Sequence, residues 1–361
     1  MEIFRKITTG CILFTFFLTG FYACKEHGAD TDDRDTTPSN GYEHHETTKA
    51  NLHRIEQPEP GSVFSFGDII AINATPVENE KIDSIKLYIN NKPLTIVRSG
   101  NLDFSWNTSK NRTGRHKIKT IAYKGSKKDT KTRIIVIKSD IKPAIHEYEV
   151  LNKYPHDPAA YTQGLAWYKG ELYESTGQYG ESSIRKVDLK TGEIKKSANL
   201  PGDVFGEGMA VFDDKMIQLT WQSKTAFVFD RNTFQQLNKF SFYTEGWGIT
   251  NFEGNLVMSD GSFVLYIVDP SLFTEIRRIE VYDNTGPVTN LNELEYINGS
   301  VFANVWQQPF IVIIEPSTGR VTGKIDCTAL IPEKYKNNQD NVLNGIAWIE
   351  DRNTLLVTGK R

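Results

Sequence analysis

One short phrase returns five times in the last two-thirds of this chain. It reads QGLAWYKGELYEST from Gln163, EGMAVFDDKMIQLTW from Glu207, WGITNFEGNLVMSD from Trp247, NELEYINGSVFANVW from Asn292 and NGIAWIEDRNTLLVTGK from Asn344. Each copy is an apolar strand, a turn rich in Gly, Asp or Asn, and a second apolar strand. Successive copies start 44, 40, 45 and 52 residues apart. A period of that size with two or more strands per unit predicts a β-propeller, here with five blades. Further runs follow the phrases: IRKVDLKTGEI, FVFDRNTF, YIVDPSLF and VIIEPSTG. Each is a third strand running into an acidic turn with Pro or Gly punctuation.

The period also aligns chemistry. Gln163, Glu207, Trp247, Asn292 and Asn344 open the five copies, and five equivalent positions of a propeller form a ring about its axis. The second strands end at Ser175, Trp221, Asp260, Trp306 and Gly359-Lys360. One face is therefore expected to gather a carboxylate, three tryptophans, two asparagines, a glutamine and a lysine. A single tryptophan there would be ordinary core packing. Three beside Glu207 predict a binding pocket.

Upstream, the first 24 residues read as an export signal: Arg5 and Lys6, an apolar run from Ile7 to Ala23, then Cys24. A small residue before cysteine predicts a lipoprotein whose Cys24 is lipidated, with an uncleaved anchor or a plain secretory signal as alternatives. All three place the protein outside the cytoplasm, on the periplasmic or cell-surface side. Residues 25–55 form a polar tether with seven acids before Ala50, too poor in apolar groups to bury a core. The pair His44-His45 lies in it and reads as solvated. Cys11 and Cys24 belong to the leader, so Cys327 is expected as a free thiol.

Residues 56–140 hold about seven short alternating runs, among them DIIAIN, SIKLYIN, LDFSW and TRIIVI. They predict a small antiparallel sandwich resembling bacterial immunoglobulin-like modules. From Lys81 to Lys138 there are 15 Lys and Arg against three acids. That excess suits either an anionic surface partner or sheet edges guarded by lysine. The whole chain has a net charge of -3, which does not suit a nucleic-acid binder.

The motifs YTQGL, FGEGMA, QLTW, TEGWG, LNELEY, ANVW and VLNGIAW occur in that order. Over residues 144–361 the chain resembles the plant-type glutaminyl-peptide cyclotransferases, the glutamine cyclotransferase family. The resemblance excludes the tether and the sandwich and implies a five-bladed propeller, in agreement with the repeat; with the sandwich ahead of it, the chain is expected to be all-β. The resemblance also implies conversion of the N-terminal glutamine of a peptide or protein to pyroglutamate, with release of ammonia and without a cofactor or metal. It further implies Glu207 as catalytic acid/base and Asn292 and Lys360 at the reacting groups. Tyr161, Gln163, Phe205, Trp221, Trp247 and Trp306 would line the substrate pocket. Tyr161 stands where the family more often has Phe.

Two other readings compete. A calcium-dependent, lactonase-type propeller hydrolase would use Glu207, Asp260, Asn292 and Asn344 as oxygen ligands. A propeller can also serve as a non-catalytic binding module. Histidine-based zinc chemistry is not expected, since only His146 and His156 lie beyond residue 144. Finally, the stretch from Asn344 to Arg361 holds only two strands. With one more from His146–Lys153, the last blade is expected to be a strand short.

Overall fold

The structure, a computed structural model, describes residues 1–6, 50–78, 80–335 and 342–361. The apolar leader with Cys24 and most of the tether, including His44 and His45, lie outside the described residues. The described chain is all-β, in seven sheets with no closed barrel.

Two sheets form the first unit. His53–Gln57, Ile69–Pro76 and Leu102–Asn107 make one; Val63–Ser65, Lys127–Lys138, Gly114–Lys124, Ser84–Ile89 and Lys92–Arg98 make the other. Alternation drives their pairing, as a period of two sends one face inward. In Ser84–Ile89 every second residue is buried, and Ile85, Leu87, Ile118, Ile135 and Ile137 close the core against Ile70, Ile72 and Leu102. The lysines take the outer positions. Some are tied locally, with Lys119 Nζ 4.6 Å from the Tyr88 ring and Lys86 Nζ 5.1 Å from that of Tyr123.

The remaining five sheets follow the repeat. The first runs Thr162–Tyr168, Glu171–Thr176, Ser183–Val187, Ile194–Asn199. The second runs Gly206–Phe212, Lys215–Thr220, Thr225–Asp230, Gln236–Ser241. The third runs Ile249–Phe252, Asn255–Ser259, Val264–Val268, Glu275–Glu280. The fourth runs Leu291–Ile297, Ser300–Val305, Phe310–Glu315, Arg320–Asp326, and Ala144–His146 adds a parallel edge to it. All four pair antiparallel in chain order. Tight turns join the first two strands of each. At Lys169-Gly170, Glu253-Gly254 and Asn298-Gly299 both residues have positive φ, the hairpin turn whose twist matches the strands.

The fifth sheet is composite. Leu343–Ile349 pairs with Thr354–Gly359; Glu2–Lys6 pairs antiparallel with Thr354–Gly359 and with Tyr148–Lys153. The expectation of a missing strand is thus corrected: Glu2–Lys6 takes the vacant place.

The first strands of the five sheets pack in sequence order, and the last packs on the first. Their approach is very close. A Cβ on Gly164, Gly208 or Gly248 would lie 2.6 Å from Met209 N, 2.5 Å from Trp247 O or 2.0 Å from Asn292 O. Glycine follows the opening residue in four copies, and the exception is Glu293. Its carboxylate accepts from Leu165 N (3.3 Å) and Ile346 N (2.8 Å), tying the fourth sheet to the first and fifth.

The sandwich seats on the outer edge of the third and fourth sheets. Arg115 donates to Glu280 through its backbone N (2.9 Å), Nε (2.9 Å) and Nη2 (2.8 Å), and the Arg320 guanidinium lies 4.2 Å over the Phe66 ring.

Candidate active site

Backbone hydrogen bonds define equivalent positions in four of the five copies, all but the third. The residue after the second strand donates its N–H to a carbonyl two residues before the opening residue. The pairs are Gly177 to Tyr161, Trp221 to Phe205, Trp306 to Asn290 and Lys360 to Val342. The expected equivalence of Ser175 is corrected here: its register is two residues off, and Gly177 is the true counterpart of Trp221. That counterpart is a glycine for a steric reason, since a Cβ on Gly177 would meet the Phe205 ring at 2.4 Å. Phe205 fills the space that a side chain holds elsewhere.

The opening residues converge. Gln163, Glu207, Asn292 and Asn344 are 2%, 6%, 2% and 0% exposed. Asn344 Nδ2 donates to Gln163 Oε1 (3.2 Å) and to Thr162 O (3.0 Å). Asn292 Oδ1 and Asn344 Oδ1 are buried without a hydrogen-bond partner among the described residues. Such acceptors are costly unless something occupies the space they face.

Aromatic rings wall the site in two groups. Phe205 stands edge-on to Tyr161 (6.1 Å), to Trp221 (5.8 Å) and to the half-exposed Tyr179 (5.5 Å). Trp247 and Trp306 meet at 5.6 Å and 90°. Lys360, 5% exposed, brings Nζ to 4.8 Å from the Tyr161 ring centre.

Desolvation dominates the electrostatics. Burial lifts the Glu207 carboxyl to about 8; Lys360 opposes this shift and Glu245 adds to it. A carboxyl so placed holds its proton at neutral pH and releases it within the range useful for catalysis. The other candidate acid, Asp260, turns away. Its oxygens accept from Ser262 N (3.0 Å), Ser262 Oγ (2.6 Å) and Tyr266 Oη (2.8 Å). The four-ligand oxygen set is therefore not assembled, and no cluster of three or more His, Cys, Asp or Glu that could hold a metal occurs among the described residues.

Two groups went unread in the sequence. Glu245 Oε2 accepts from Trp221 Nε1 at 2.7 Å and Trp247 Nε1 at 3.1 Å. It sits two residues before Trp247, the same offset as Tyr161 from Gln163 and Phe205 from Glu207, and that arithmetic could have found it. His156 joins the first and fifth sheets, with Nε2 2.7 Å from Glu174 Oε1 and Nδ1 3.3 Å from Thr358 Oγ1. No sequence signal pointed to it. Cys327 is a buried free thiol far from this chemistry in kind, within the fourth and fifth sheets' shared core.

Comparison with known proteins meets this geometry. The glutamine cyclotransferase family matches residues 119–361, and a bacterial Ig domain family matches residues 53–119. The chain is 40% identical over 225 residues to a glutaminyl-peptide cyclotransferase of Arabidopsis thaliana, covering 61% of this chain and 70% of that protein. Among solved structures it is similar to the glutaminyl cyclase of Myxococcus xanthus. There the TM-score is 0.57 and the identity 32%, over 61% of this chain and 94% of that one.

Proposed function

Since the chain belongs to the glutamine cyclotransferase family, we infer how its own residues carry out glutaminyl-peptide cyclotransfer. The protein is a glutaminyl-peptide cyclotransferase: it closes an N-terminal glutamine to pyroglutamate and releases ammonia. The reading places the reaction at the centre of a five-bladed β-propeller. The closed cycle of packing among the five first strands supports that architecture.

One observation carries the assignment of roles: the buried carboxyl of Glu207 shares the ring of opening residues with buried Asn292 and feels both Lys360 and the tryptophan-bound Glu245. The reaction asks for little more. The α-amine attacks the γ-carboxamide carbon of its own residue, so the enzyme's first task is to hold a folded conformer. The walls of Tyr161, Phe205, Trp221, Trp247 and Trp306 pack the two-methylene stem, and Gln163 orients the chain end. As the new C–N bond forms, the amine gives up one proton. As the old C–N bond breaks, the leaving nitrogen takes one and departs as ammonia. Glu207 moves both. Its carboxyl, near 8, matches an α-amine at about 7.7–8.0, so proton exchange between them is nearly thermoneutral. Asn292 contributes its buried acceptor to an N–H of the substrate. Lys360 stabilises negative charge gathering on the amide oxygen.

Glu207→Gln tests this. It should fold, bind a Gln-initiated peptide and lose at least about a hundredfold in rate. A variant that keeps a tenth of wild-type turnover would remove Glu207 from the role. Excess chelator should leave the wild-type rate unchanged; loss of activity that calcium restores would instead favour the hydrolase reading.

Export and anchoring belong to the same proposal, supported by the apolar run 7–23 and Cys24. A palmitate analogue should label the wild type and not Cys24→Ser.

A further inference from the structure

The pocket described so far holds no standing negative charge. Glu207 keeps its proton near neutral pH, and Lys360 is cationic. Yet an N-terminal glutamine arrives mostly as an ammonium, whose pKa is about 7.7–8.0. A neutral acid beside a lysine is a poor receptor for that cation. The missing charge is at Glu245.

We propose that Glu245 is the substrate's counter-ion: one oxygen fixes two pocket tryptophans and the other receives the α-ammonium of the incoming chain. The proposal rests on the cyclotransferase reading above. Three observations support it. Both indole N–H groups, from Trp221 on one wall and Trp247 on the other, converge on the same atom, Oε2. Oε1 accepts no hydrogen bond among the described residues. And Glu245 stands two residues before its opening residue, as Tyr161 and Phe205 do in the first two copies, so the copy that brings Trp247 into the ring places an acid where those two place a ring.

The arrangement has a chemical consequence. Charge-assisted bonds from both indoles set the aromatic faces at fixed angles, and those faces themselves attract a cation. Cyclisation turns the ammonium-bearing chain end into a neutral lactam. Glu245 then loses its partner, so the same charge that draws the substrate in gives the product nothing to hold. The charged groups acting on Glu207 are Lys360 and Glu245. Removing the Glu245 charge should therefore also move the pH profile of kcat/KM toward lower pH.

Two variants test the idea with a Gln-initiated peptide and with tryptophan emission. Glu245→Gln keeps an amide oxygen for the indoles and loses the charge. Its emission should match wild type, kcat should stay within about threefold, and KM at pH 6.5 should rise about tenfold, the worth of one charged hydrogen bond. The KM penalty should shrink above pH 9, where the amine is neutral. Glu245→Ala should change the emission spectrum and lower kcat as well. Wild-type KM for Glu245→Gln at both pH values would overturn the counter-ion role. A wild-type spectrum for Glu245→Ala would overturn the clamp. If the wild-type protein cyclises no Gln-initiated peptide, the function assignment fails instead, and the emission of Glu245→Ala still decides the clamp by itself.

Discussion

Glu293 occupies the place that glycine holds after the opening residue in the other four copies. It converts a point of steric contact into a bridge, with one oxygen on the first sheet and one on the fifth. Burial pushes its carboxyl well above the usual range, and the nearby Glu295 adds to this. Glu295 itself is lifted to about 7 and Glu207 to about 8, both by burial. All three are raised above the unfolded value of 4.5, so the native state holds these protons more tightly than the unfolded chain does. Their stabilising contribution is complete below pH 4.5 and is lost as pH rises toward 8. Thermal melting should therefore fall between pH 5 and 8. Glu295→Gln should flatten that fall. Its amide can still accept from Trp348 N and donate to Thr250 Oγ1, the partners at 2.9 and 3.1 Å. A variant with the wild-type slope would assign the pH dependence elsewhere. At this scale the opening ring was legible in the sequence because chemistry and position coincided in an aligned phrase. Glu245 and His156 were passed over, because both lie outside the five repeated phrases: Glu245 two residues ahead of the third, findable only by its offset, and His156 in the segment before the first, acting through bonds to Glu174 and Thr358.

Strands of one sheet divide into two kinds. The first strands are mostly buried, as in Gly206–Phe212 where only Phe212 is half-buried, while the outermost ones, Ile194–Asn199 and Gln236–Ser241, are almost wholly exposed. That is why the sequence read as two or three strands per unit and the fourth stayed hidden: an exposed strand carries no apolar period. The glycine after four of the five opening residues is also visible in the sequence, and its purpose appears only in the packing. Gly248 shows it most sharply. A methyl group there would lie 2.0 Å from Asn292 O, far inside contact distance. Gly248→Ala should cost about 3 kcal/mol in unfolding free energy and should lower kcat, because the shifted backbone carries Asn292. Gly286→Ala, where a Cβ meets nothing within 4 Å, serves as the control. Equal stability of the two variants would show that the first strands can move apart freely.

The molecule as a whole turns on its fifth sheet, which draws on Glu2–Lys6, Tyr148–Lys153, Leu343–Ile349 and Thr354–Gly359. The repeat predicted the sheet, and its composite origin could not be read, since Arg5 and Lys6 sit in what reads as an export leader. That strand and cleavage before Cys24 exclude one another within a single molecule. Deleting residues 1–6 should unpair Tyr148–Lys153 from Thr354–Gly359 and lower the melting temperature by several degrees; an unchanged value would show that these residues add nothing to the sheet. The same geography governs how the protein comes into being. Asn344 reaches Gln163 across 181 positions of sequence, and Lys360 lies over Tyr161, so the pocket straddles the seam where the ring closes. Contacts this distant form late, after the local hairpins. During synthesis four sheets can assemble while the catalytic centre has no second half, and on refolding the far-ultraviolet dichroism should recover before turnover does. Competence to close a glutamine ring is then the last property the chain acquires, and the time between the two signals measures how long the circle of strands stays open.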